Sequence, residues 1–270
     1  MLKKIGIIGG MGAAAGCDFY KKIIQFSPAK KDQEHIHVIL DSNAQIPDRT
    51  AYILDVEKQK LIDGTFNLEG AAPIIPELLE KHEMSSSPSA SPLSEMLSSA
   101  KMLESLGCEA ICMACVTGHY FEDEIKNSIN IPFISITETA VDTLRKKDVN
   151  AAAVLGTDGS LCAQIFRPHL EKYNISPVYP NMEEQKLLMD LIYKYVKHGN
   201  LSKVNQDYDN VMAMLDHLRA QGAQAFILGC TEVPIAFEAL KISGEDIIDS
   251  TVELAKAMVE FAVGGTYENC

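Results

Sequence analysis

Short apolar runs alternate with longer stretches in which apolar residues recur every three or four positions, along nearly the whole chain. Lys3 to Gly10 is a β-branched run that ends in Gly9-Gly10-Met11-Gly12, a turn that lets backbone approach a ligand closely. A helix is predicted from about Ala13 to Phe26, with Phe19, Ile23 and Phe26 on one face. His35 to Leu40 reads as a second strand, followed by a polar, proline-broken loop from Asp41 to Thr50. Leu93 to Leu106 carries a helical stripe of Leu93, Met96, Leu97, Ala100, Leu103 and Leu106. It delivers the chain to Gly107–His119, a short strand that stops abruptly at Cys115. Ile131–Ile136 is a further strand and Glu138–Lys146 a helix.

The pattern then begins again. Asn150–Gly159 echoes the first strand and its glycine-rich turn. A helix near residues 160–173, a short strand near Val178, a long amphipathic region from Met182 to His198 and a helix near 209–221 follow. The run Ala225–Gly229 then stops at Cys230, as the earlier one stops at Cys115. The turn glycines Gly12 and Gly159 are 147 residues apart and the two cysteines 115 apart, so the first half carries about 32 extra residues. The irregular region from about residue 56 to 92 is that long. It holds a possible short helix (Pro76–His82) and a low-complexity run, Ser85–Pro92, and reads as a flexible surface insertion. A lid over a site, or an arm to a partner subunit, is the sharper alternative.

Strands alternating with helices imply an α/β fold. The expectation is two similar Rossmann-like domains with parallel sheets, related by pseudo-twofold symmetry, with the active site between them. The first would comprise residues 1–145 plus 238–270 and the second 146–237. The tail, a strand at 247–250 and a helix at 251–262, is expected to pack on the first domain.

A net charge of −13 without a basic run argues against nucleic acid and an anionic membrane surface as partners. No segment approaches the roughly 18 apolar residues of a membrane span. Seven cysteines, an odd number, without a secretory signal suggest reduced thiols in a cytoplasmic protein. Cys17, Cys108, Cys162 and Cys270 fit small core residues.

Cys115 and Cys230 invite a chemical reading, since a thiol at a strand's carboxyl end lies where an α/β sheet presents its ligand crevice. Moving a proton from one face of a carbon to the other needs an acid and a base on opposite sides, and two thiols can serve as either in turn. A free thiol near pKa 8.5 is only a few per cent thiolate at neutral pH. Helix-start N–H groups and neighbours such as His119 would therefore help, although His119 could equally be a capping residue. Three other readings remain. Gly10–Gly16 approximates a dinucleotide fingerprint but is one residue too long. Cys112 and Cys115 form C-x-x-C, which His119 and Cys230 could complete as a zinc site, yet Cys112 is expected to face the core and no metal is assigned. A non-catalytic amino-acid-binding protein would share the same crevice.

Four segments together, Ile7–Gly12, Gln45–Thr50, Cys115-x-Thr117-x-His119 and Gly229–Glu232, resemble the aspartate/glutamate racemase family, in that family's order. The resemblance implies a cofactor-independent amino-acid racemase, usually a homodimer, with Cys115 and Cys230 as its catalytic pair. It places Arg49 and Lys197 on the substrate's side-chain carboxylate. Met11, Gln45, Val116, Thr117, Thr157 and Thr231 would line the pocket, with Glu232 and His119 in support. Ala114 and Val116 stand where the family usually has Pro and Asn, and Ala13 where it has Pro. Losing the Asn removes an amide for the substrate's α-carboxylate or amine. Within the superfamily, hydantoin racemisation and cis–trans isomerisation of a dicarboxylate are the alternatives; Arg49 and Lys197 favour an acidic amino acid.

Overall fold

The structure is a computed structural model that describes residues 2–84 and 89–264. In chain order its elements are β1 (Ile5–Gly9), α1 (Ala13–Phe26), β2 (Val38–Ser42), α2 (Arg49–Ile62), α3 (Ile75–Lys81), α4 (Leu93–Ser105), β3 (Ala110–Met113), α5 (Glu122–Lys126), β4 (Phe133–Ile134) and α6 (Ile136–Lys146). The second half follows with β5 (Ala151–Gly156), α7 (Asp158–Cys162), α8 (Arg167–Lys172), β6 (Ser176–Val178), α9 (Met182–Met189) and a π-helical stretch (Asp190–Lys197). It closes with α10 (Tyr208–Ala220), β7 (Ala225–Gly229), α11 (Val233–Leu240), β8 (Ile247–Asp249) and α12 (Ser250–Ala262). Two four-stranded sheets result, ordered β2-β1-β3-β4 and β6-β5-β7-β8, with every pairing parallel. Each strand of the first sheet has its counterpart at the same place in the second, so the repeat read along the chain is a repeat in space.

Buried apolar alternation builds the layers. On β1 and β3, Ile5, Ile7, Ala110 and Cys112 face one core, while Ile8, Ile111 and Met113 face another. Period-two alternation makes this necessary, and it sends Cys112 and Cys115 to opposite faces. The first of these cores also holds Ala152, Ala225 and Ile227 from the second sheet, so both halves bury surface against a shared layer that includes α6 and α12. The tail divides between the halves: β8 extends the second sheet, while α12 lies against α1 and α6.

Local chemistry accounts for the shifted boundaries. Strand β4 is only two residues because Pro132 cannot donate to a ladder and Ser135 already caps α6, accepting from the Glu138 N–H. The single helix expected over 160–173 is two helices, with Gln164 in the left-handed region (φ 52°) and Pro168 in the first turn of α8. Strand β2 begins and ends later than its apolar residues suggest, because its register against β1 runs from Val38 to Ser42.

The insertion is not a loose surface loop. Helix α2 continues through its first residues to Ile62, and Ile75 and Leu79 of α3 are fully buried with Leu54, Ala72 and Cys162. It therefore packs across both halves, with α2 and α3 against α7. The Asp55 carboxylate fastens it, bound by His82 Nε2 at 2.7 Å and by the Ser89 hydroxyl at 2.6 Å. Lys58 donates to the Glu80 carbonyl at 3.1 Å, and Arg167 of α8 donates to the carbonyl of Glu69. Residues 85–88 of the low-complexity run lie outside the described residues, as does Cys270. Cys108 and Cys162 are buried, whereas Cys17 is exposed on α1, contrary to its reading as a core residue. Among the described residues no helix is long and apolar enough to cross a membrane.

Burial alone would raise the Asp55 pKa, but its bonds to Ser89 and His82 hold it below the ordinary carboxylate value. A depressed folded-state pKa contributes stability above the unfolded value, near 3.9, that is lost as pH falls through the folded value. Asp55→Asn is expected to cost about 1–3 kcal/mol at pH 7. In thermal melts the difference between the two proteins should shrink as the pH is lowered below about 4.

Candidate active site

The carboxyl ends of the parallel strands of both sheets supply the site. From β1 the chain turns through Gly10, whose φ of 86° only glycine adopts readily and whose absent side chain leaves room for the Asn43 backbone. A Cβ there would lie 2.3 Å from the Asn43 carbonyl carbon. This contact joins the turn after β1 to the loop after β2. Pro47 and Asp48 end that loop, the Asp48 carboxylate caps α2 by accepting from the Ala51 N–H at 2.7 Å, and Arg49 is thereby the first helical residue.

Arg49 is almost entirely buried. Its guanidinium donates to the carbonyls of Pro47 (2.9 Å) and Met11, and Nε has no hydrogen-bond partner among the described residues. From the other half, Lys197 at the end of the π-helical stretch also donates to the Met11 carbonyl, at 3.2 Å, and pairs with Glu232 Oε1 at 2.8 Å. Two cations carried by different halves thus converge on one backbone oxygen. Burial opposes the charge on each. Cys115 and Asp48 nevertheless raise the Arg49 pKa, and Glu232, Cys230 and Cys115 raise that of Lys197, so both stay charged.

The thiols have unlike surroundings. Cys115 lies beside Arg49 and within electrostatic reach of Lys197. Cys230 donates its S–H to Glu232 Oε2 at 3.0 Å, and the same oxygen accepts from the Thr231 hydroxyl at 3.1 Å. Burial first, and the Glu232 carboxylate second, push the Cys230 pKa well above the usual thiol range, with Lys197 opposing them. Thr117 and Thr157 meet across the halves, hydroxyl to hydroxyl at 3.0 Å, and Thr157 also caps α7 by accepting from the Ser160 N–H.

Three residues expected at the site stand differently. The Val116 side chain is buried with Ala114, Ile134 and Ile136 in the shared core, so it serves packing. Gln45 is exposed on the loop after β2, where its backbone N–H donates to Asn43 Oδ1 at 3.0 Å. His119 does not face a thiol. The Ile136 N–H can only donate, so Nε2 is the bare nitrogen that accepts it (3.2 Å), and Nδ1–H donates to the Cys115 carbonyl at 2.8 Å. Burial lowers the imidazole pKa. A neutral ring that fixes the backbone at Cys115 is the outcome. Two residues not anticipated from sequence also reach the site: Tyr193, whose ring lies 5.5 Å from Lys197 Nζ, and Thr50, the neighbour of Arg49 on α2. The four-residue spacing of Tyr193 and Lys197 was the available signal.

No cluster of three or more metal-binding side chains occurs among the described residues, so Cys112, Cys115, His119 and Cys230 do not come together as a metal site.

The fold and site define a two-sheet α/β protein with a thiol from each half at a common, cation-lined crevice. A family model for Asp/Glu/hydantoin racemase matches residues 68–258, and the chain belongs to that family. It is 23% identical over 261 residues to the broad specificity amino-acid racemase RacX of Bacillus subtilis, covering 94% of this chain and 96% of that one. It is 26% identical over 147 residues to the glutamate racemase of Persephonella marina, covering 54% of each. Among solved structures, aspartate racemase of Picrophilus torridus matches with a TM-score of 0.70 and 27% identity, covering 97% of this chain and 94% of that one.

One contact holds Arg49 in register with the second half. A Cβ on Gly159 of α7 would lie 2.8 Å from Thr50 Cα, which is backbone and cannot swing aside. Gly159→Ala should therefore displace the start of α2 and cost about 1–3 kcal/mol by overpacking, read as a lowered midpoint in urea unfolding.

Proposed function

We propose that the protein inverts the α-carbon of a free amino acid, with aspartate and glutamate its preferred substrates, by passing a proton between Cys115 and Cys230. The observation that carries this reading is the convergence of Arg49 and Lys197 on the Met11 carbonyl, next to both thiols. A carbonyl oxygen that accepts from two cations stands where a carboxylate oxygen would bind more strongly. Arg49 can grip such a carboxylate with two parallel bonds, and Lys197 adds a point charge. The relatives named above as aspartate, glutamate and broad-specificity racemases support the same substrate class.

In one direction a Cys115 thiolate takes the α-proton and becomes a thiol. The electron pair of the broken C–H bond delocalises into the α-carboxylate. The Cys230 thiol then gives its proton to the opposite face and is left as thiolate. In the reverse direction the Cys230 thiolate left by this turnover takes the α-proton and the Cys115 thiol returns one, while Glu232, the acceptor of the Cys230 S–H, orients that thiol for transfer. Arg49 and Lys197 stabilise the negative charge as it builds, without help from a cofactor. The proposal extends to a cytoplasmic homodimer. The resemblance supports the dimer, and free thiols at all six described cysteines suit a reducing compartment. Light scattering should give about twice the 29.6 kDa chain mass.

The direct test is α-proton exchange in deuterated water with single enantiomers, read by NMR. Aspartate or glutamate should exchange with inversion, and inversion should fall by at least about 100-fold in both Cys115→Ser and Cys230→Ser. Inversion of a different amino acid would keep the mechanism and move the specificity. Absence of exchange with every amino acid would sink the reading and turn attention to hydantoins, dicarboxylates and simple binding. Glu232→Gln is expected to lower kcat about 10- to 100-fold. Because the Glu232 carboxylate is one cause of the raised Cys230 pKa, Glu232→Gln should also move the basic limb of the pH profile, in the direction that uses a Cys230 thiolate, toward lower pH.

A further inference from the structure

Tyr193 is placed by an unusual piece of helix. The stretch Asp190–Lys197 is π-helical, a conformation rare enough to mark functional positions, and it carries both Tyr193 and Lys197. The Lys197 ammonium lies 5.5 Å from the centre of the Tyr193 ring, a cation–π contact that fixes the ring's attitude. The Tyr193 side chain lies within electrostatic reach of Asp48 and Arg49 from the first half and of Cys230 from its own. It therefore sets a hydroxyl between the cation of one half and the thiol of the other.

The site has need of such a group. An acidic amino acid brings two carboxylates, whereas Arg49 and Lys197 converge on a single oxygen and are disposed to share one of them. The side chain of the residue after Cys115 supplies no donor for the second, since that of Val116 is apolar and buried in the core. We propose that Tyr193, held by its ring contact with Lys197, is a substrate-binding residue whose phenol O–H donates to the second carboxylate. Burial and the nearby Asp48 keep the phenol protonated, so it acts as a neutral donor and not as a base. The proposal rests on the amino-acid racemase reading above.

The chain has nine tyrosines and no tryptophan, so ultraviolet difference spectroscopy sees tyrosine alone against a clean background. Succinate, a dicarboxylate without an α-amine, is the probe. Saturating succinate should perturb a tyrosine band in the wild type, and Tyr193→Phe should abolish that change. Tyr193→Phe should also raise the KM for aspartate about 10- to 150-fold, as expected for one lost hydrogen bond to a charged group, with its melting temperature close to wild type. A variant with wild-type KM and an unchanged difference band overturns the proposal. A wild type that inverts aspartate yet shows no tyrosine band with saturating succinate overturns it without any variant. A wild type that neither inverts an amino acid nor binds succinate removes the racemase reading and this proposal together.

Discussion

Two positive charges share one carbonyl oxygen, and the site depends on that arrangement. Arg49 arrives on the first turn of α2 and Lys197 on the last residue of a π-helical stretch in the opposite half, and both donate to Met11. Neither charge is cheap to bury, so each needs anionic company: Glu232 for Lys197, and Cys115 with Asp48 for Arg49. The groups that compensate the cations thereby include both a thiol and the carboxylate that holds the other thiol. Charge balance ties the chemistry of the site to its stability.

The scaffold makes such convergence possible by repetition. Each half presents strand ends along one crevice, and the shared core under α6 and α12 fixes how the two rows face each other. The contact of Thr50 with Gly159, the Thr117–Thr157 hydroxyl pair and the insertion packed over α7 then hold the rows together at the crevice itself. The insertion breaks the symmetry of sequence but serves that union, since α2 carries Arg49 at one end and the Asp55 clasp in its middle.

The repeat is not chemically symmetric. Cys115 lies among cations, and its backbone carbonyl is tied to a neutral His119; Cys230 lies against a carboxylate. Related strands can thus place identical side chains in opposite electrostatic settings, because the setting comes from the loops and helices that follow each strand.

The sequence by itself determined the alternation of strands and helices, the internal repeat and the two cysteine-ended strands. Those features are local, written in apolar periodicity and glycine turns. Its resemblance to a known family also pointed to Arg49, Lys197, Thr117, Thr157, Thr231 and Glu232. Tertiary structure decided the rest. The orientation of Val116 follows from the pleat and from what α6 and α12 bury, and His119 is neutral because a distant N–H, that of Ile136, occupies its Nε2. The insertion is ordered against α7 because Ile75 and Leu79 find apolar partners far along the chain. Tyr193 gains a place at the site only when the π-helical stretch sets its ring beside Lys197, which the fold brings to Met11. Burial, charge balance and protonation are set by groups distant in sequence, and only the folded chain brings those groups within reach.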